Sequence, residues 1–293
     1  MGERHRIPAH MLQRQRRLMA LIALLIAVAV LSCAMPGGGS DQIGVVVSIA
    51  PVGDFARQVA GERARVTVMV PPGSSPHTYE PTARQMAAVS EAAVYFKVGS
   101  GVEFETMWLD ELIEENPGML VVDLSEDVEL LGADPHVWMS PVNAAIMVEK
   151  ICDGMVEVDS GGSAFYRGNR DDYLTELAVL DGYVRCAFEG FANRHFLIYH
   201  PAFTYFAAEY GLTQLAVEQG GKEPTPRVIE DCIEKALQYD LDYVFVAPQF
   251  ASDDCETIAR EIGGQTAVMD PLPENYIAGM GRTVDALVLE FED

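Results

Sequence analysis

Basic residues are scarce in this chain: 20 Lys and Arg stand against 44 Asp and Glu, a net charge of −24. That excludes a nucleic-acid partner, because a phosphate backbone is held by clustered cations. Histidine is scarcer still, with six in 293 residues. The usual catalytic signatures are missing: no G-x-S-x-G, no H-E-x-x-H, no Walker A loop and no G-x-G-x-x-G. Gly99-Ser100-Gly101 lacks the third glycine and the basic residue of a phosphate loop, so it reads as a turn. No cysteines form a C-x-x-C pair, which excludes a zinc ribbon and a thioredoxin-type redox motif. Cys152, Cys186, Cys232 and Cys255 read as small buried core residues. Cys232 and Cys255 also fall on consecutive helical stretches, where a disulfide between them stays open.

What is present begins with an asymmetry. The first 32 residues hold five Arg and one Glu, so the remainder has 15 basic and 43 acidic residues, or −28. Arg14, Arg16 and Arg17 precede an apolar run over residues 18–31. That run is short of the ~20 residues of a spanning helix but matches a signal-peptide core. Val30-Leu31-Ser32-Cys33 follows and resembles a lipobox, which implies cleavage before Cys33 and lipidation of its thiol. Pro36 and Gly37–Ser40 then read as a flexible tether. The expected segments are a signal peptide (1–32) and a lipidated tether (33–42), exported and anchored on the outer face of the cytoplasmic membrane. The acidic surface beyond is solvated, and its field concentrates cations.

From residue 43 short β-branched runs alternate with amphipathic stretches. Strands are expected over 43–48, 66–70, 94–98 and 120–124, with helices over 52–59, 82–92 and 103–115. Ser140-Pro141 announces a fourth helix to about 155. A second series places strands over 196–199, 214–217, 243–247 and 266–269, and helices over 202–210, 226–239, 253–262 and 275–291. This alternation indicates βαβ units and mainly parallel sheets, hence an α/β fold of two lobes. Between the series, residues 163–191 form one helical pattern, with Tyr166, Tyr173, Leu177, Leu180, Val184 and Phe188 at intervals of mostly three and four. It is long enough to brace both lobes, with a kink allowed at Gly182. The expected division is 43–162, a linking helix 163–192, and 193–293.

His77, His136, His195 and His200 are the histidines beyond the signal segment. His200 directly follows a strand, and His77 and His136 lie in connections after strands. Asp270 ends the last strand. All four fall beyond the carboxyl ends of parallel strands, where open α/β sheets bind ligands. Two come from each half, so a cleft between lobes would gather them. Three imidazoles and one carboxylate suit a divalent transition metal, zinc above all. Each alone has a plainer reading: a loop histidine is usually superficial, and Asp before Pro, as at Asp134 and Asp270, usually forms a turn.

The motifs are more specific than the positions. The segment Val70-Pro71-Pro72-Gly73-Ser74-Ser75-Pro76-His77-Thr78-Tyr79-Glu80-Pro81 resembles the first metal-ligand motif of the cluster A-I substrate-binding proteins of zinc and manganese ABC importers. Asp134-Pro135-His136-Val137-Trp138-Met139-Ser140-Pro141 resembles the second. Tyr199-His200-Pro201-Ala202-Phe203, followed by Tyr210-Gly211-Leu212, resembles the third. Asp270-Pro271-Leu272 resembles the fourth, and Glu223-Pro224-Thr225-Pro226 fits a further segment. The resemblance runs in order from about residue 43 to the end.

It implies two α/β lobes joined by one long rigid helix, a metal site in the interlobe cleft, and His77, His136, His200 and Asp270 as ligands. It implies a monomeric receptor delivering Zn2+ to an ABC permease, with Mn2+ as the alternative cargo and iron a third. It also implies a small tilting closure. Manganese-type members tend to carry Glu at the place of His200, which favours zinc. The stretch 125–133 is short and acidic with no histidine, unlike the His-rich loop of many zinc receptors. His195 matches no ligand position and reads as structural. Two rivals are a zinc hydrolase with Glu80 as general base, and an adhesin lipoprotein whose metal only stabilises the fold. Four protein ligands leave no open position for an activated water, which speaks for capture and against catalysis.

Overall fold

A computed structural model describes residues 42–292 apart from 219, 251 and 252. The apolar run at 18–31, Cys33 and the tether before residue 42 lie outside the described residues. Strands β1 (Ile43–Val47), β2 (Ala64–Val68), β3 (Val94–Lys97) and β4 (Leu120–Asp123) form one sheet in the order β2-β1-β3-β4. Strands β5 (His195–Ile198), β6 (Thr213–Ala216), β7 (Tyr243–Val246) and β8 (Gln265–Val268) form a second in the order β6-β5-β7-β8. Every pairing is parallel. The expected strands are all present. The largest offset is at β2, where 66–70 was expected. There Met69 and Val70 leave the regular strand but still donate to Val47 and Ser48 carbonyls at 2.9 Å.

The helices are α1 (Ala50–Ala60), α2 (Ala83–Ser90), α3 (Glu103–Glu115), α4 (Pro141–Val158), α5 (Ser163–Ala187), α6 (Thr204–Tyr210), α7 (Pro226–Gln238), α8 (Asp253–Ile262) and α9 (Tyr276–Glu292). Their starts follow from local chemistry. Ser140 accepts from Asn143 N–H ahead of Pro141, and Thr225 accepts from Val228 N–H ahead of Pro226. Each satisfies an orphan donor of the first turn. At α2, Thr82 and Gln85 form a reciprocal capping box. Gln85 also donates to the carbonyls of Val68 and Met69, at 3.0 and 2.6 Å. That ties α2 to the point where the chain leaves β2.

The linking helix α5 has 25 residues, about 37 Å at 1.5 Å per residue. It is one continuous α-helix through Gly182. It stops before the expected 191 because Phe188 turns inward, packing its ring against Phe206, Tyr210 and Phe291. Among the described residues no helix is long and apolar enough to cross a membrane.

The first sheet is apolar on both faces, with Val45, Val46 and Val47 all buried in one core, as parallel sheets covered on both sides require. That core continues through α5 and α9 into one face of the second sheet, taking in Phe196, Ile198 and Phe245. The residues between them, Leu197 and Val244, belong to a separate, smaller core under α7 and α8. Cys232 and Cys255 sit in that smaller core, and Cys152 is buried in the main one. All four cysteines past residue 42 are unbridged, and Cys186, expected in the core, is instead exposed on α5. It lies on the polar side of a helix whose buried stripe runs through Tyr173, Leu177, Leu180 and Val184.

Candidate metal centre

The carboxyl ends of both sheets meet, and the histidines meet with them. His77 hangs in the loop between β2 and α2. His136 opens a short 3-10 turn, Val137–Met139, between β4 and α4. His200 follows β5 by two residues, and Asp270 follows β8 by two. The Nε2 atoms of His136 and His200 are 3.2 Å apart across the two lobes. The His77 ring centroid lies 5.2 Å from that of His200. All three histidines line a cavity of about 20 Å³ with Glu103, Trp138, Gln249 and Phe250, room for one ion or one water.

Each imidazole is aimed by a carboxylate on its far nitrogen. His77 Nδ1 lies 3.1 Å from Glu103, His136 Nδ1 2.8 Å from Asp134, and His200 Nδ1 3.0 Å from Glu218. A carboxylate only accepts, so it holds the proton on Nδ1 and leaves Nε2 with its lone pair free. The lone pairs of two such nitrogens at 3.2 Å repel unless a proton or cation lies between them. Two nitrogens bound to one tetrahedral zinc at 2.0–2.1 Å would stand about 3.3 Å apart. The 3.2 Å between His136 and His200 matches that spacing, and also that of an N–H···N hydrogen bond.

Loops from both lobes fix these rings. Asp134 Oδ1 accepts from the His136 backbone N–H at 2.9 Å as well as from its ring, so it is both turn former and ring orienter. Tyr205, in α6, accepts from Leu131 N–H at 2.9 Å and donates to the Asp134 carbonyl at 3.2 Å, so the second lobe grips the loop of the first. Ser100, in the turn after β3, donates to the Pro135 carbonyl at 2.5 Å. That turn is held by the buried Glu105, which accepts from Val98 and Gly99 N–H at 2.6 and 2.9 Å. Gly99 is required there: its φ is +88°, and a Cβ would run into the Asp123 carboxylate.

A buried circuit closes the lobes beneath the site. Trp138 Nε1 donates to the Pro271 carbonyl at 2.7 Å, and Tyr276 Oη donates to the Trp138 carbonyl at 2.7 Å. Asp54, on α1, accepts from Tyr276 N–H at 2.8 Å. The first turn of α9 is thus capped by a carboxylate from the first lobe, where the helix dipole favours negative charge.

The charges divide the histidines. The Glu103 hydrogen bond raises the His77 pKa against the opposing effect of burial. Burial depresses His136, and Asp134 offsets this only in part. Burial pushes Asp134 and Glu103 up, yet the hydrogen bonds to their histidines prevail and bring both below the usual carboxylate range.

Asp270 stands apart. It does not line the cavity, and its Oδ1 accepts from Leu272 N–H at 2.9 Å and from Gln249 Nε2 at 3.1 Å. Among the described residues no three His, Cys, Asp or Glu side chains are arranged to hold an ion as they stand. What is assembled is the His136–His200 pair, with His77 beside it and the carboxylate behind Gln249. Glu80 is exposed and absent from the cavity wall, which removes the general base of the hydrolase reading. His195 lies at the opposite end of β5 from His200 and stacks on Tyr239 at 3.7 Å.

Glu103, Glu218, Gln249 and Phe250 were not foreseen. Glu218 and Gln249 also lie just past strand ends, so the positional argument used for the histidines could have found them. Phe250 stacks on His200 at 4.5 Å and meets His77 edge-on at 5.8 Å. With His77 and Gln249 it also lines an outer pocket of about 370 Å³, shared with Glu218, Lys222 and Glu223.

Comparison with known proteins agrees with this picture. Residues 45–289 match the family described as "ZnuA: Zinc-uptake complex component A periplasmic". The chain is 30% identical to the "Manganese-binding lipoprotein MntA" of Halalkalibacterium halodurans, over 92% of this chain and 96% of that one. It is 25% identical to the "High-affinity zinc uptake system protein ZnuA" of Bacillus subtilis, over 84% and 87%. A crystal structure of ZnuA superposes with a TM-score of 0.82 at 32% identity, covering 85% of this chain and 99% of that one. Two parallel α/β lobes, a long helix between them and this match over most of the length lead to one conclusion: the chain belongs to the ZnuA family, the periplasmic metal-binding components of ABC uptake systems, which are solute receptors and not enzymes.

Proposed function

We propose that the chain captures a single zinc ion with His77, His136, His200 and Asp270 in the cleft between lobes 43–162 and 193–293, and presents it to an ABC permease. The observation that carries this reading is the 3.2 Å separation of His136 and His200 Nε2, one from each lobe, with each ring's Nδ1 held by a carboxylate. Three nitrogens and one oxygen favour zinc over the harder manganese ion. A relative named for manganese at 30% identity supports the second reading, a manganese receptor built on the same site. From a lipidated Cys33 the tether would hold the receptor, a monomer, beside the outer face of the membrane.

The test is metal content of residues 41–293 purified without chelators, followed by zinc and manganese titrations of wild type and His200→Ala. One equivalent of zinc, greatly weakened in the variant, supports the proposal. Tight manganese with weak zinc exchanges the cargo and keeps the receptor. No stoichiometric metal rejects both.

A further inference from the structure

Asp270 uses one oxygen twice. Oδ1 takes the Leu272 N–H and the Gln249 amide, at 2.9 and 3.1 Å. Gln249 reaches it from the loop after β7 and lines the histidine cavity, as Asp270 does not. Which end of the amide faces the carboxylate is settled by chemistry, since a carboxylate only accepts and the NH2 must point at it. The amide's other end is unusual. Oε1 is buried and accepts no hydrogen bond, alone among the buried side-chain nitrogen and oxygen atoms of the described residues. Buried acceptors are otherwise satisfied, so the side chain's orientation answers to Asp270 and not to its own acceptor.

We propose that Gln249 is a positioning residue that presents the Asp270 carboxylate to the captured ion. By holding Oδ1 it would leave Oδ2 as the oxygen offered to the ion. Being neutral, the amide leaves the carboxylate its full charge, which a Lys or Arg at the same place would cancel. Residues that orient a ligand in this way typically set metal affinity by 10–100-fold. The inference rests on the reading of Asp270 as a ligand, and deepens it.

A double-mutant cycle tests it. Zinc affinity of the full chain in detergent is measured by chelator competition for wild type, Gln249→Ala, Asp270→Ala and the double variant. Gln249→Ala should weaken zinc by about 10–100-fold, and the double variant should be no weaker than Asp270→Ala within about twofold, because the two residues act as one. Gln249→Met keeps the length without the amide donor, so it guards against a folding defect and should give a loss of similar size. Losses that multiply in the double variant, or an affinity unchanged in Gln249→Ala and Gln249→Met, overturn the inference while the receptor reading survives. Wild type that binds no zinc removes both.

Discussion

The two sheets share one strand order and differ in how they are anchored. The first is enclosed on both faces by a single core. The second gives one face to that same core, through Phe196, Ile198 and Phe245, and the other to a small cluster under α7 and α8. The proposed ligands reflect the difference. His77 and His136 stand on the deeply anchored lobe, while His200 follows a strand whose alternate residues serve both cores. Gln249, Phe250 and Glu218 rise above the smaller core, with Phe250 packed against it. The loops that carry Gln249, Phe250 and Glu218 thus rest on the smaller of the two cores, and those of His77 and His136 on the larger.

Variants can break or sharpen that contrast. The largest effect is expected from the proposed ligands: if zinc is the cargo, His136→Ala and His200→Ala should each cost about 3 kcal/mol of affinity, roughly a hundredfold. Isothermal titration checks this, and a large inequality would show that one lobe dominates capture. Next comes the anchoring. Asp54→Ala strands the Tyr276 N–H in a dry interior and should cost about 2 kcal/mol, lowering Tm by about 4–8 °C. Cys255→Ala, in the smaller core, should cost about 1 kcal/mol. Calorimetry that ranks them the other way would invert the contrast. Smaller still, Glu103→Gln and Glu218→Gln should each weaken zinc by about tenfold through loss of ring orientation, read by chelator competition.

The mildest effect is that of pH. A histidine held above its ordinary pKa, as His77 is by Glu103, adds stability that is present in acid and lost as pH rises through its raised value. His136 is depressed by burial, so the unfolded chain binds that proton more readily and stability falls as pH drops below about 6.5. The two oppose each other, so the metal-free Tm should move little between pH 7.5 and 6. Zinc affinity should fall over the same range by about threefold or more, because both rings must be neutral to bind. A Tm that falls as steeply as the affinity would show that the two histidines do not balance.

Much of this was legible in the sequence, for reasons that also mark where legibility ended. Strands such as 94–98 and 243–247 announce themselves as short β-branched runs, and Ser140-Pro141 and Thr225-Pro226 fix helix starts by local chemistry. His77, His136 and His200 stood out because histidine is rare here and their motifs are distinctive. Asp54, Glu103 and Glu218 had no such contrast. In a chain with 44 acidic residues, a carboxylate on a helix face or past a strand end looks like solvated surface until its partner is known. Asp54 and Tyr276 lie 222 residues apart, a separation no local pattern can bridge. The early stop of α5 was hidden for the same reason, since Phe188 continues the helical spacing but is claimed by rings on α6 and α9.

That long separation has a consequence for the order in which the molecule becomes itself. A chain emerging amino end first offers His77 and His136 long before His200, and Asp54 long before the helix start it caps. The first lobe lacks part of its covering until α9, the last helix, arrives. A chain that has emerged only through α5 carries two of the four proposed ligands and lacks the strap that draws the halves together. On the proposed ligand set, the complete site forms only once Asp270 and the start of α9 have been made.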